Sequence, residues 1–163
     1  MTITLDDALN LLHFPIVDQF YTHQTLNANS ANDLLVESLH VDHGVAFEEI
    51  RHYRESHVRL SWLRDVYEDA CLRRQWIVAT IAYLLHLVDC TIFTDKSATS
   101  VSMNYLGFFV NLSVTGGYSW VAAALTHMYE QLGDCSYVKT RQLAGYETLL
   151  QGWIYEHFLS IGN

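Results

Sequence analysis

The sequence predicts a mainly α-helical protein, a single compact helical domain spanning 1–163 around a buried central helix at about 72–91. Three observations predict it. The stretch 76–93, WIVATIAYLLHLVDCTIF, has no Lys, Arg or Glu, and its few polar residues (Thr80, His86, Asp89, Thr91) are scattered around the helical wheel. A helix apolar on every side belongs inside a bundle. The composition, 50% hydrophobic and 13% aromatic, is ample for one core. One proline and eight glycines leave few forced breaks, which favours helices over turn-rich β folds. A run of this length would just reach across a bilayer, but His86 and Asp89 inside it are costly in lipid, so the sequence predicts no membrane association.

Charge narrows the partners. Net charge is −9, with eight acids and no Lys or Arg in residues 1–50, and six Arg against four acids in residues 51–74. Affinity for phosphate backbones comes from clustered bases that release counterions, and a chain with two lysines, Lys96 and Lys139, offers few. Cys71, Cys90 and Cys135 are odd in number, far apart and in no CxxC spacing, which predicts reduced, buried thiols in an intracellular protein. The N-terminus carries Asp6 and Asp7 and no basic region, so no secretory signal is read there.

In chain order, MTITL alternates and predicts a short N-terminal strand, while Thr4 and Asp7 have capping-box spacing for a helix over about Leu5–His13. That helix carries Leu9 and Leu12 inward and must stop before Pro15. Residues 20–29 read as a polar loop, after which Ser30 and Asp33 cap a short helix to about Leu39. Residues 40–57 predict a solvated, charge-laced helix. Val58–Arg74 predicts a turn and a helix with Ser61 as N-cap, presenting Trp62, Val66 and Ala70. Beyond the central helix, 94–100 is a turn, and Ser102 caps a helix over about Met103–Asn111. Thr115–Tyr118 breaks the chain. Ser119 then caps a helix ending at Gly133, with Val121, Leu125, Met128 and Leu132 as one stripe. The last helix, about Thr140–Phe158, buries Leu143, Tyr146, Leu150 and Trp153, and Gly145 and Gly152 mark a side that another backbone approaches.

Chemistry is sparse. His40 and His43 stand three apart, and Glu49 and His52 form a Glu-x-x-His pair of the kind used by di-metal bundles. Such a site needs pairs of this kind on two helices plus two further Glu on other helices, and a solvated, charge-laced helix is the preferred reading, so no metal is assigned. His86 and Asp89, one turn apart, read as a polar bridge in an apolar helix before they read as a catalytic dyad. No phosphate loop, dinucleotide fingerprint, nucleophile elbow or zinc-protease motif is present. Arg64, Arg73 and Arg74 face Asp65, Glu68 and Asp69 on one helix, the pattern of a solvated face.

Three stretches together resemble the plant mobile domain, a family also labelled aminotransferase-like. They are MTITLDDALNLLHFPI (1–16), SWLRDVYEDA through VSMNYL (61–106), and GGYSWVAAALTHMYEQL with TRQLAGYETLLQGWIYEHF (116–158). Tyr118, Ser119, Trp120, Leu125 and Tyr129, then Gly145, Leu149, Leu150 and Trp153, are the most specific part. The resemblance implies a nuclear protein acting in meristem maintenance, genome stability and transposon silencing, partnered with a PPP-type serine/threonine phosphatase. In the family an earlier strand and helix precede the MTITL segment, so the resemblance also implies an N-terminally truncated domain. Residues 17–60 match only loosely. The label implies no aminotransferase activity: a pyridoxal enzyme needs a Schiff-base lysine with a phosphate cup, and Lys96 and Lys139 stand in no such setting.

The expected function is therefore a non-enzymatic interaction module with no cofactor. The candidate interaction residues are Tyr129 and Tyr155, as an exposed aromatic patch, and Arg73 and Arg74. The alternatives are a transposon-derived nucleic-acid-binding module using the Arg cluster with Trp62, and an enzyme in which His86, Asp89 and a cysteine act together.

Overall fold

Thr4 and Asp7 close the capping box that their spacing predicts. In the computed structural model, which describes residues 2–14, 17, 25–52, 56–94, 97, 99–136 and 144–158, the Asp7 amide donates to Thr4 Oγ1 at 3.2 Å and Thr4 N donates to Asp7 Oδ2 at 2.8 Å. Helix α1 (Leu5–Leu12) ends at left-handed His13, whose amide returns to Leu9 O at 2.9 Å. Pro15 lies outside the described residues. Residues 2–4 enter no sheet, so the predicted N-terminal strand is not formed among the described residues. A strand needs a paired edge, and the pairing lies elsewhere in the chain.

That pairing is β1 (His57–Arg59) against β2 (Ser100–Ser102), antiparallel, with Val58 opposite Val101 and both side chains fully buried. Neither strand is predicted from three residues of sequence. The other elements are α2 (Ala28–Leu39), α3 (His43–His52), α4 (Leu60–Leu72), α5 (Trp76–Thr91), a 3₁₀ helix (Met103–Phe108), α6 (Leu112–Thr115), α7 (Trp120–Cys135) and α8 (Glu147–His157). The fold is mainly α, as predicted. Among the described residues no helix is long and apolar enough to cross a membrane.

Cap chemistry moves several boundaries. Asn27, not Ser30, caps α2, its Oδ1 accepting the Ser30 amide at 2.9 Å, so the helix starts inside the predicted loop. Ser61 lies within α4: the helix starts one residue after Arg59, with the Leu60 amide held by Thr99 O at 2.9 Å. Ser102 caps as predicted, accepting from Asn104 N, but the helix is 3₁₀. Helix α7 runs through Gly133 to Cys135, and α8 begins at Glu147 rather than Thr140, residues 137–143 and Leu143 with them lying outside the described residues.

The contacts group into two compact units. One takes the described residues of 1–21, 91–96 and 117–163. Its core is Ile3, Ala8, Val121, Met128, Leu149 and Trp153, with Leu125, Leu132, Tyr146 and Leu150 packed on it, so the predicted α7 stripe and most of the α8 face are found in place. Thr94 O accepts the Gly145 amide at 2.8 Å and His127 Nε2 at 3.2 Å, which requires the proton on Nε2. Gly145 is in a turn at φ +102° ahead of α8, a conformation that an L side chain strains to adopt. The close backbone is at Gly145, where a Cβ would stand 3.6 Å from Met128 Cα, whereas Gly152 meets a side chain, that of Leu11 of α1.

The other unit takes 22–90 and 97–116. Here α2 packs on α3 and on the 3₁₀ helix, and β1 contacts α3 and α4. Helix α5 buries Val78, Ile81, Ala82, Leu85 and Val88, with Leu85 fully buried, but Trp76 is 62% and Ile77 70% exposed. Tyr83 and Leu87 are exposed with them. The central helix is thus buried on one side only, although its sequence is apolar on both.

Candidate functional site

Asp42 starts the site. Helix α2 ends at His40 in the left-handed conformation, the chain turns, and Asp42 Oδ1 accepts the Gly44 amide at 2.8 Å and the Val45 amide at 3.2 Å to open α3. One turn on, α3 carries Glu48 outward and Glu49 inward, where Glu49 is 4% exposed. A carboxylate that deep needs a partner. Arg59, at the junction of β1 and α4, supplies it: its amide donates to Glu49 Oε1 at 2.8 Å, Nε donates to Oε1 at 2.9 Å, and a terminal nitrogen donates to Oε2 at 2.6 Å. Burial pushes the Glu49 carboxyl up, but the hydrogen bonds and charge of Arg59 outweigh it and hold the group below its ordinary value.

This ion pair floors a depression of about 440 Å³ whose walls include Asp42, Val45, Glu48, His52 and Trp62. A second depression, of about 290 Å³, shares Asp42, Val45 and Trp62 and continues along Leu39, Val66 and Arg73. The half-buried Trp62 indole stands between them.

The Glu-x-x-His pair is separated by this arrangement. Glu49 turns to Arg59, and His52 Nδ1 donates to Glu48 O at 2.6 Å, one turn back on its own helix. His43 Nε2 accepts from Asn32 Nδ2 at 2.8 Å, and His40 is the α2 cap. Among the described residues no group of three His, Cys, Asp or Glu side chains is placed to hold a metal ion. Asp89 Oδ1 accepts the Ser102 amide at 3.1 Å, which ties α5 to β2. The cysteines are less buried than predicted: Cys71 and Cys135 are half-buried and Cys90 is exposed, because 90 falls on the outward side of α5. Lys96 and Lys139 lie outside the described residues.

The four interaction candidates fall in different settings. Arg73 caps α4 and pairs with Asp69 at 3.0 Å, and Arg64 faces Glu68 at 3.8 Å, so these two cations are offset on their own helix. Arg74 is exposed in the left-handed conformation at φ 58° and makes no ion pair among the described residues. Tyr155 is 58% exposed on α8. Tyr129 is partly exposed, but its hydroxyl donates to Ile3 O, and because that uses its only proton, Thr2 Oγ1 donates to it at 2.8 Å. Tyr129 therefore anchors the N-terminal segment.

The family model of the plant mobile domain matches residues 1–162. The chain belongs to this family. It is 33% identical to Protein MAIN-LIKE 1 of Arabidopsis thaliana over 166 residues, covering all of this chain and 32% of that protein. It is 33% identical to Protein MAINTENANCE OF MERISTEMS of the same plant over 103 residues, 61% of this chain and 22% of that protein. A more distant relative, the Serine/threonine-protein phosphatase 7 long form homolog, is 28% identical over 111 residues, 66% of this chain and 8% of that protein. The chain thus spans about a third or less of the length of these relatives. No solved structure matches it.

In this plant mobile domain the residues that carry the family resemblance are largely architectural. Leu149 and Trp153 are core, Gly145 makes the turn before α8, and Tyr118 meets Trp120 edge to face at 6.3 Å. The Trp153 indole N–H donates to Asp7 Oδ2 at 3.2 Å, and His157 Nε2 lies 3.3 Å from Asp7 Oδ1. The Thr4 amide and hydroxyl do most to lower the Asp7 pKa, burial opposes them, and His157 and Trp153 add to the lowering. Sequence reasoning missed the Arg59–Glu49 pair, for which the only local signal is a Glu at the helix position facing inward, and missed Trp62 as a groove wall.

Proposed function

We propose that this plant mobile domain is a non-enzymatic protein-interaction module of a nuclear protein acting in meristem maintenance, genome stability and transposon silencing. The observation that carries the reading is the outward side of α5. Trp76, Thr80, Tyr83 and Leu87 follow at i, i+4, i+7 and i+11 and are all exposed, with Ile77 beside them and Tyr67 of α4 against Tyr83 at a ring separation of 6.2 Å. Aromatic side chains on one helix side, standing in water, are the usual material of interface hot spots. Two carboxylates that could serve chemistry hold neighbours instead, Glu49 binding Arg59 and Asp89 the Ser102 amide. The partner is a PPP-type serine/threonine phosphatase, supported by the family resemblance and by a relative that bears a phosphatase name.

The test is titration of the purified chain against a recombinant plant PPP-type phosphatase domain by calorimetry. The reading expects binding that Trp76→Gln with Tyr83→Gln removes while the circular-dichroism melt stays that of the parent. Binding untouched by the double change would discard the α5 surface. Arg74, exposed and without an ion pair among the described residues, favours the nucleic-acid reading. Duplex and single-stranded DNA binding at two salt concentrations separates the readings: affinity that survives physiological salt and is lost in Arg73→Ala/Arg74→Ala would put nucleic acid first.

A further inference from the structure

Trp62 lines two adjoining depressions, and the charges in their walls set what chemistry they could admit. Arg59 is held by buried Glu49, and Arg73 by Asp69. Among the described residues the carboxylates are in excess. Asp42 accepts, among the described residues, only amide donors, Gly44 N and Val45 N, and Glu48 faces Arg51 at 3.8 Å across open solvent, where such pairs contribute little. An anion would seek the free amides at the start of α3, but Asp42 already occupies them. A cation meets no such obstacle. The walls otherwise are apolar: Val45 and Trp62 in both depressions, with Leu39, Val66 and Val78 in the second. At about 440 and 290 Å³ the two hollows suit one or two side chains each and are small for a dinucleotide or similar cofactor.

We infer that this groove docks a basic segment of a protein partner, an Arg or Lys side chain lying over the Trp62 indole toward Asp42 and Glu48, with an adjacent apolar side chain in the Leu39–Val66 hollow. The stem and cation of Arg suit this arrangement, since the indole face attracts a cation and the carboxylates complete its hydrogen bonds. The site goes beyond the α5 surface and shares with it only the premise that the domain binds proteins.

The probes are fluorescein-labelled octapeptides of one composition with a central Arg-Leu, and the matched peptides with Glu or norleucine in place of Arg, read by fluorescence polarisation on the 163-residue chain. The Arg peptide should bind at least about tenfold tighter than the Glu peptide, with a margin that narrows as salt is raised. Trp62→Leu should weaken it by about tenfold at an unchanged far-UV spectrum. Glu48→Lys, a change at a well-exposed position, should shift preference toward the Glu peptide even if Trp62→Leu fails to fold. Trp76→Gln/Tyr83→Gln should leave peptide binding intact, so loss of the α5 surface and loss of this site are read separately. Equal binding of the Arg and Glu peptides, no binding of the Arg peptide at 1 mM or below (about the weakest affinity that counts as recognition), or no effect of Glu48→Lys would overturn the assignment.

Discussion

Helix α5 and helix α8 both carry tryptophan and tyrosine, and the fold uses their tryptophans in opposite ways. On α5 the aromatics Trp76 and Tyr83 face water while aliphatic Val78, Ile81 and Leu85 face the core. On α8 the aromatic Trp153 is core, 8% exposed, with its N–H on Asp7. The buried indole has a polar partner. A buried indole or phenol needs an acceptor, and in the unit containing α8 the capping carboxylate of α1 and the Ile3 carbonyl provide acceptors for Trp153 and Tyr129. Hydrophobicity alone therefore does not say which side of an apolar helix is buried.

The sharpest way to break this comparison is to place a charge on each side of α5. Leu85→Asp puts an unpaired carboxylate at a fully buried position, and a cost of several kcal/mol against a total of roughly 5–15 kcal/mol should unfold the domain. Tyr83→Asp, two residues away and exposed, should fall within about 0.5–1 kcal/mol of the parent. Two similar melts would show that α5 does not have one buried side. Trp153→Ala probes the other member: it removes a core aromatic and leaves Asp7 short of a donor, for a loss of about 3–5 kcal/mol read by urea denaturation.

A smaller effect should be read by pH at the Glu49–Arg59 pair. Glu49 is held below its ordinary pKa, so its contribution is fully present above the unfolded-state value and is lost as pH falls through the lower folded-state value. Glu49→Gln removes the charge that Arg59 binds, and should cost about 1.5–3 kcal/mol at neutral pH. The gap between parent and variant should close as pH drops below roughly 4, the ordinary glutamate range. A gap that did not narrow as pH fell through and well below the ordinary glutamate range would mean that the ion pair is not its source.

How much of this was legible follows the same line. The mainly helical class, the Thr4–Asp7 box and the Val121–Met128 stripe rest on local spacing, and all three are in place. The sheet was not, because three-residue strands whose partners lie more than forty residues away leave no local period to read. Glu49 was read as solvated for a similar reason: its partner Arg59 sits on another element, ten residues on. The α5 surface was invisible because every side of that helix is apolar, so no pattern marks the outward one.

The smallest expected effect tests the two tyrosines that the sequence grouped as one patch. Tyr129 holds the N-terminal segment through Ile3 O and Thr2 Oγ1, whereas Tyr155 stands 58% exposed on α8. Tyr129→Phe keeps the ring and loses the hydroxyl, so the Ile3 carbonyl loses its phenol donor. One hydrogen bond contributes about 1 kcal/mol, which in a chain of this size lowers the melting temperature by about 2–4 °C. Tyr155→Ala removes more surface but disturbs less of the fold, and its melt should stay within about 0.5 kcal/mol of the parent. If Tyr155→Ala then weakens capture of the phosphatase domain while Tyr129→Phe does not, α8 joins α5 as an interaction surface. If the two changes lower the melt equally and neither affects binding, the patch is discarded and both tyrosines belong to the architecture.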